Sequence, residues 1–338
     1  MRGAMSVTEL FKSDNLTDGA DLQFTSGGGL RHLLTLQGLG RAQISDLLDH
    51  SEHFLSQPGT PVVRSESLRG VTVANLFFEA STRTRASFDL AARRMGADVL
   101  NLDVNTSSRK KGESILDTLY TLQAMQVGIF VVRDASDGVP AYIARHVEDH
   151  VSILNAGESD ISNPTQGLLD LLTIRQRKSG FENLTVAIVG DIAHSRVARS
   201  AAEGLTTMGV GELRLISPQA LAPDADAMPD CRIMHNLDEG MRDADVVMAL
   251  RIQRERIGSL DGIPGIDEYY ANFGVNHERM KLAAPDAIVM HPGPMNRGIE
   301  IESNLADSPQ SVITQQVTNG VAVRMAVLDT VIRTLGPR

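Results

Sequence analysis

The chain has 338 residues, 42% of them apolar, which is enough for two domains that each bury a core. Its net charge of −10 argues against a general nucleic-acid-binding protein, because such a protein needs a basic face to neutralise phosphates. The single cysteine, Cys231, excludes an intrachain disulfide and a cysteine-based zinc site, which suits a reducing cytoplasm, and no apolar run reaches the roughly 20 residues that span a bilayer.

Residues 1–29, which end in Gly27-Gly28-Gly29, are predicted to form a flexible N-terminal arm. The arm carries acidic residues and lacks a hydrophobic stretch, so it does not have the pattern of a signal peptide. Its polar composition fits a disordered tail and a partner-contacting segment equally well.

After the arm, short apolar runs alternate with amphipathic stretches of helical length, which is the pattern of a parallel sheet covered by helices. The predicted strands of the first half are Val71–Phe78, Val99–Leu102, Gly128–Val132 and Val151–Asn155. Helical spacing is kept by two sets of apolar residues, Phe88, Ala91, Ala92 and Met95, and Ile115, Leu119, Leu122 and Met125. A longer helix is predicted from Gln166 to about Lys178, and Ser179-Gly180 follows it as a candidate hinge.

The same alternation resumes in the second half of the chain. Its predicted strands are Leu184–Val189, Glu212–Ile216, Asp245–Leu250 and Ala287–Met290, and a last helix is predicted from Thr318 to about Leu335. The two halves share a pattern without sharing a sequence repeat. We therefore expect an α/β protein with two Rossmann-like domains, each a parallel sheet flanked by helices, and a ligand site in the cleft between them.

Ser81-Thr82-Arg83-Thr84-Arg85 follows a predicted strand and opens a predicted helix. Free backbone N–H groups and the positive end of the helix dipole meet at such a terminus and favour an anion. The hydroxyls add donors, and Arg83 can hold a phosphate with two parallel hydrogen bonds. The alternative is a simple N-cap with solvated arginines.

Further polar residues follow other strands of the first half. Arg133 comes after Gly128–Val132, and Asn163-Pro164-Thr165-Gln166 opens the long helix, so both lie where open α/β sheets bind ligands. A structural arginine and a turn with Pro164 at the first helical position are the competing interpretations. The segment Ser107–Glu113 is a polar loop that is either a solvated charge run or a mobile loop that closes over an anion.

The second half carries its own candidates at strand ends. Gly190-Asp191 followed by Arg196 resembles a dinucleotide turn but lacks the later glycines of that motif, so a nicotinamide dehydrogenase is disfavoured. Arg251 and Gln253 follow another strand, and Arg196 and Arg251 are candidate clamps for carboxylates. His291-Pro292-Gly293-Pro294 also follows a strand and is either a turn that directs carbonyl groups into a site or a rigid structural turn, and the bond before Pro294 can be cis.

Taken in order, these motifs resemble the aspartate carbamoyltransferase family from about Arg31 to Thr334. The Ser81–Arg85 block is common to carbamoyltransferases. Lys110-Lys111-Gly112-Glu113, Arg251-x-Gln253 and the turn at 291–294 indicate the aspartate branch, since the Ser-Met-Gly loop of the ornithine branch is absent.

The resemblance implies a role for each matching residue. Carbamoyl phosphate is bound by Ser81, Thr82, Arg83, Thr84, Ser107, Arg133, Asn163, Gln166, Pro292, Gly293 and Pro294. L-Aspartate is bound by Lys111, Arg196, Arg251 and Gln253. Catalysis rests on Arg83, Thr84, Lys111, Arg133 and Gln166, without metal or cofactor. Ser107 and Lys111 come from a neighbouring chain, so the unit is a homotrimer with shared sites.

The resemblance also implies the domain boundaries and the partners. A carbamoyl phosphate domain spans 30–165 and is completed by a C-terminal helix, 314–338, and an aspartate domain spans 166–313. The N-terminal arm is similar to that of bacterial members which assemble with a dihydroorotase-like partner, and a nucleic-acid or membrane partner is not expected.

One position departs from the family. Asn163 stands where the family has histidine in a His-Pro-Thr-Gln motif. An asparagine amide can still donate to a carbonyl oxygen, but it lacks the geometry and titration of an imidazole. The alternative hypothesis is therefore a homologue that binds ligand or a partner and catalyses poorly.

Overall fold

The computed structural model describes residues 19–57, 59–102, 114–253, 257 and 262–336. The chain divides into two compact units, Met1–Thr165 with Gly320–Arg338, and Gln166–Asn319. Each unit contains one parallel sheet with helices, so the predicted fold class is confirmed. The division falls inside a helix, and Ser179-Gly180, the candidate hinge, lies within the second unit.

The described part of the first unit is built on a four-stranded sheet in the order β2-β1-β3-β4. Its strands are β1 (Thr72–Phe77), β2 (Asp98–Leu102), β3 (Val127–Asp134) and β4 (Ser152–Glu158). Its helices are α1 (Arg41–Glu52), α2 (Thr82–Arg94), α3 (Ile115–Ala124) and α4 (Val139–His146). All strand pairs are parallel, as the near-continuous apolar runs predict.

The central strands carry the core of the first unit. β3 is buried along its whole length, and α2 buries Phe88, Ala91 and Ala92, which confirms the helical spacing read from the sequence. β3 runs beyond its predicted end at Val132 and includes Arg133 and Asp134. Polar residues remain in this buried strand because their side chains find hydrogen-bond partners at the sheet edge.

The end of the predicted arm is packed against the first unit. Gly19–Leu22 forms a short 3₁₀ helix, and Gln23 is fully buried. The Gln23 carbonyl oxygen Oε1 accepts the backbone N–H groups of Leu34 and Thr35 at 2.7 and 3.1 Å. Residues 19–29 thus differ from the flexible segment that was expected, because the buried side chain of Gln23 hydrogen-bonds to the backbone of the first unit. Residues 1–18 lie outside the described part of the chain.

The second unit has a five-stranded parallel sheet in the order β7-β6-β5-β8-β9. Its strands are β5 (Thr185–Val189), β6 (Glu212–Ile216), β7 (Arg232–Met234), β8 (Val246–Ala249) and β9 (Ile288–Met290). The helices that follow α4 are α5 (Pro164–Lys178), α6 (Arg196–Thr207), α7 (Leu237–Met241), α8 (Ile266–Phe273), α9 (His277–Met280), α10 (Ser303–Ala306) and α11 (Ile313–Leu335). α5 begins just before the unit boundary, and α11 continues across it into the first unit.

The edge strand β7 was missed from the sequence. It has three residues, none of them fully buried, so it carries neither an apolar run nor a clear alternation. In the described part of the chain, no helix is both long and apolar enough to cross a membrane.

Gly190 is where β5 and β8 come closest at their carboxyl ends. Its φ is +139°, and a Cβ placed there would lie 2.2 Å from the carbonyl oxygen of Leu250. Leu250 in turn donates its N–H to the carbonyl oxygen of Val189 at 2.7 Å, so the backbone cannot move away without breaking the ladder. Only glycine fits this close approach.

We predict that Gly190→Ala lowers the free energy of unfolding by about 3 kcal/mol or more, because backbone strain and overpacking add together. Gly298→Ala is the matched control in the same unit, since its φ is +81° but nothing lies within 4 Å of the added Cβ. It should cost only about 1 kcal/mol. Urea denaturation of both variants measures the difference, and equal losses would contradict the steric explanation.

Candidate active site

Ser81–Arg85 lies at the start of α2, directly after β1. Ser81 is the N-cap residue in an extended conformation, and its side chain makes no capping hydrogen bond. The amides at the start of a helix have no intrahelical acceptor, so a helix start favours an anion. Thr82 and Arg83 are exposed, while Ser81 and Thr84 are half-buried. The N-terminus of α2 therefore has the features of an anion-binding site.

Arg133 lies beside that terminus, at the carboxyl end of the neighbouring strand β3. The backbone N–H of Phe78 donates to the carbonyl oxygen of Arg133 at 2.8 Å, which joins the two strand ends. The Arg133 guanidinium donates to Glu79 Oε1 at 2.8 Å and to the carbonyl oxygen of Ala156 at 3.1 Å. Arg133 is only 8% exposed, so these contacts keep its guanidinium group in one orientation.

Asn163 follows β4, the next strand along the sheet, and is 5% exposed. The turn that leads to it is organised by Glu158, whose backbone N–H donates to the carbonyl oxygen of Ser162 at 2.9 Å. The Glu158 carboxylate accepts the N–H of Gly138 at the start of α4 and the side-chain amide of Asn155. Sequence reasoning missed Glu158 because nothing in its spacing distinguishes it from a solvated glutamate.

In the second unit, Arg196 and Arg251 follow the neighbouring strands β5 and β8. Arg196 opens α6 and is 6% exposed, and Ser195 caps that helix by accepting the N–H of Ala198 at 3.1 Å. Arg251 is half-buried. The structure therefore brings the two predicted carboxylate clamps to the same edge of one sheet.

Asp191 ties these two strand ends together. It is fully buried, and its Oδ2 accepts the backbone N–H of Gln253 at 3.0 Å while Oδ1 lies 2.8 Å from His194 Nδ1. The Gln253 side-chain amide donates to the carbonyl oxygen of His194 at 2.7 Å. Gln253 was predicted as a substrate contact, and in the structure its side chain links the segment after β8 to the loop that carries His194.

The turn at 291–294 follows β9 and contains a cis bond between Gly293 and Pro294, the option named from the sequence. His291 is 2% exposed and its Nδ1 accepts the N–H of Gly293 at 2.8 Å. Its Nε2 lies 3.1 Å from Glu300 Oε1, and that oxygen also accepts the N–H of Asn296. An imidazole that accepts at Nδ1 and donates at Nε2 is neutral and held in one orientation. Pro292 and Gly293 are half-buried.

Gln166 lies in the first turn of α5, and its side-chain amide donates to Asp170 Oδ1 at 3.0 Å. Ser107 and Lys111, together with the rest of the loop up to residue 113, lie outside the described residues. Among the residues that the structure describes, no group of three or more His, Cys, Asp or Glu side chains could hold a metal ion.

Each unit thus has a chemical character of its own. The first unit presents helix N–H groups, hydroxyls and a fixed guanidinium, which suit a phosphorylated ligand. The second unit presents two arginines at neighbouring strand ends, which suit carboxylates, and a turn of fixed backbone groups. The chain has a net charge of −10, so this cationic lining is a local arrangement.

Two family models match most of the chain. The model described as aspartate/ornithine carbamoyltransferase, carbamoyl-P binding domain, matches residues 31–176. The model described as aspartate/ornithine carbamoyltransferase, Asp/Orn binding domain, matches residues 182–331.

Solved structures from both branches resemble the chain. Aspartate transcarbamoylase from Trypanosoma cruzi in complex with carbamoyl phosphate is 30% identical, with a TM-score of 0.80 over 89% of this chain and 96% of that one. Ornithine carbamoyltransferase from Pyrococcus furiosus is 27% identical, with a TM-score of 0.80 over 91% and 98%. Ornithine carbamoyltransferase from Thermus thermophilus is 26% identical, with a TM-score of 0.78 over 89% and 99%.

Glu158 makes the stability of the protein depend on pH. Burial raises the pKa of Glu158 from its ordinary 4.5 to about 7, and nearby Asp137 and Asp134 act in the same direction. At this site the folded chain therefore binds more protons than the unfolded chain between these values. The contribution of Glu158 to the free energy of unfolding should fall by about 1 to 3 kcal/mol as the pH rises from 4.5 to 7.

We expect Glu158→Gln to remove this contribution, so that the stability of the variant relative to wild type increases between about pH 5 and about pH 8. Urea denaturation at several pH values measures the change. Glu148→Gln removes a similar charge from a side chain that is 71% exposed and serves as the baseline. A difference between Glu158→Gln and wild type that stays constant with pH would contradict the assignment.

Proposed function

The chain belongs to the aspartate/ornithine carbamoyltransferase family, and from that premise we propose that it transfers the carbamoyl group of carbamoyl phosphate to L-aspartate. The products are N-carbamoyl-L-aspartate and phosphate, as in de novo pyrimidine biosynthesis. The domain assignment follows the same proposal, with the phosphate of carbamoyl phosphate held by the first unit and aspartate by the second.

Carbamoyl phosphate is assigned to the first unit because of the uncapped start of α2. Ser81, Thr82, Arg83 and Thr84 offer backbone and side-chain donors to the phosphate, and Arg133, Thr84 and Asn163 donate to the carbonyl oxygen. The ion pair with Glu79 supports this role, since it orients the buried Arg133 guanidinium before the ligand arrives. Pro292, Gly293 and Pro294 contribute the turn that meets the amino group.

The choice of aspartate rests on the contacts of Asp191. By binding Gln253 N–H and His194, Asp191 holds Arg251 and Arg196 at adjacent strand ends. Two guanidinium groups attract the two carboxylates of aspartate, whereas they repel the side-chain ammonium of ornithine. This single arrangement favours the aspartate reaction over the ornithine reaction.

The reaction then needs only binding and electrostatic stabilisation. The aspartate amine attacks the carbamoyl carbon, the C–O bond to phosphate breaks, and negative charge builds on the carbonyl oxygen and on the departing phosphate. Arg83, Arg133 and Thr84 donate to that charge, and the phosphate accepts the amine proton. Holding both substrates in one orientation replaces a chance encounter with a nearly unimolecular step.

The assembly is part of the proposal. Ser107 and Lys111 complete the site from a neighbouring chain, which makes the active unit a homotrimer. We extend the proposal to a cytoplasmic location and to a higher assembly with a dihydroorotase-like partner.

Carbamoyl phosphate and L-aspartate should give carbamoyl aspartate and phosphate, and L-ornithine in place of aspartate should give no citrulline. Arg251→Met should lower kcat/KM for aspartate by about 10- to 100-fold, the value of a charged hydrogen bond, because one carboxylate loses its partner. Arg242→Met, on an exposed arginine of the same unit, is the control and should leave kcat/KM unchanged. Phosphate release that does not depend on aspartate would refute the assignment.

Asn163 favours the one alternative, a family member with reduced turnover. The side chain is 5% exposed and follows β4, the strand next to the one that carries Arg133, and a histidine at this position would add an imidazole donor. If Asn163 limits the reaction, Asn163→His should raise kcat by about 10-fold or more, within the range of a positioned proton donor. An unchanged or lower kcat would show that the amide is a sufficient donor.

A further inference from the structure

Asp170 joins two glutamine side chains in the second unit. It lies one turn after Gln166 on α5 and is 1% exposed. Its Oδ1 accepts the side-chain amide of Gln166 at 3.0 Å and that of Gln316 on α11 at 2.8 Å. The sequence contains a signal for the first contact, since a glutamine and an aspartate at i and i+4 face each other on a helix.

The Asp170 carboxylate determines the orientation of both glutamine amides, that is, whether NH₂ or Oε1 faces it. Oδ1 of Asp170 accepts both hydrogen bonds, so the NH₂ groups of Gln166 and Gln316 point toward it. The carbonyl oxygen Oε1 of Gln166 is thereby directed away from Asp170. Flipping either amide is costly, because it would place an oxygen against a carboxylate that is 1% exposed.

Gln316 links Asp170 to the turn at 291–294. Its Oε1 accepts the backbone N–H of His291 at 2.9 Å, and Gln316 is 2% exposed. His291 in turn holds Gly293 through its Nδ1 at 2.8 Å. One carboxylate thus fixes the amide at the start of α5 relative to the turn that follows β9.

We propose that Asp170 is a positioning residue that makes Gln166 a hydrogen-bond acceptor for the substrate and so selects the amino group of carbamoyl phosphate. The proposal rests on the proposed function. A carbamoyl group donates from its NH₂, whereas an acetyl group carries a methyl in that place. When Gln166 Oε1 faces the substrate, it accepts a hydrogen bond from the NH₂ of carbamoyl phosphate but none from the methyl group of acetyl phosphate. The site therefore binds carbamoyl phosphate more tightly.

Replacing Asp170 by asparagine tests this role. The Asp170→Asn side chain keeps its shape, but its own NH₂ lets the Gln166 amide turn and present a donor to the substrate. The dissociation constants of carbamoyl phosphate and acetyl phosphate are measured by calorimetry on the full chain. Asp170→Asn should weaken the binding of carbamoyl phosphate by about 10-fold and leave that of acetyl phosphate within about 2-fold of wild type.

The matched control is Thr173→Val, one turn further along α5. Thr173 Oγ1 accepts the side-chain amide of Asn319 on α11 at 2.8 Å, so this variant breaks another buried α5–α11 contact without touching Gln166. It should not change the ratio of the two dissociation constants. Equal weakening of both phosphates by Asp170→Asn, or no weakening, would overturn the positioning role.

Gln166→Met provides an independent check, because it removes the amide and leaves Asp170 in place. It should lose the preference for carbamoyl phosphate to the same extent, and adding Asp170→Asn to it should change the ratio no further. A retained preference in Gln166→Met would overturn the proposal. A wild-type chain that binds no carbamoyl phosphate would refute the proposed function itself, an outcome distinct from a failure confined to the variants.

Discussion

Parallel strand pairing is the constraint on which the arrangement of polar residues depends. In a parallel sheet every strand ends at the same edge, so the residues that follow successive strands are brought together however far apart they lie in sequence. In the first unit this edge carries the start of α2, Arg133 and the turn that leads to Asn163. In the second it carries Arg196, Arg251 and the turn at 291–294.

Carboxylates then fix the loops at these edges. Glu79 orients Arg133, Glu158 organises the turn before Asn163, Asp191 joins two strand ends, and Glu300 orients His291. Glu158, Asp191 and Glu300 are buried, so losing one of them would leave buried donors unsatisfied. Loops that are exposed in most folds are held here by charge-assisted hydrogen bonds, which is a requirement for preorganised binding.

Two opposite charge patterns coexist in this molecule. The chain as a whole carries a net charge of −10, yet the candidate ligand-binding edges are lined by arginines and helix N–H groups. At one of these edges Glu79 keeps the Arg133 guanidinium in place. The local field, and not the net charge, therefore decides which ligands the protein attracts.

The sequence by itself determined the two-domain α/β architecture, most strand positions and the residues at strand ends, because apolar periodicity and turn residues are local signals. It did not reveal β7, the packing of residues 19–29 or the length of β3, since these depend on partners distant in the chain. Only the tertiary structure decided that Asp170 also contacts Gln316, and that Asp191 contacts Gln253. A buried hydrogen bond between distant residues leaves no periodic trace in sequence, because its geometry exists only once the sheets have formed.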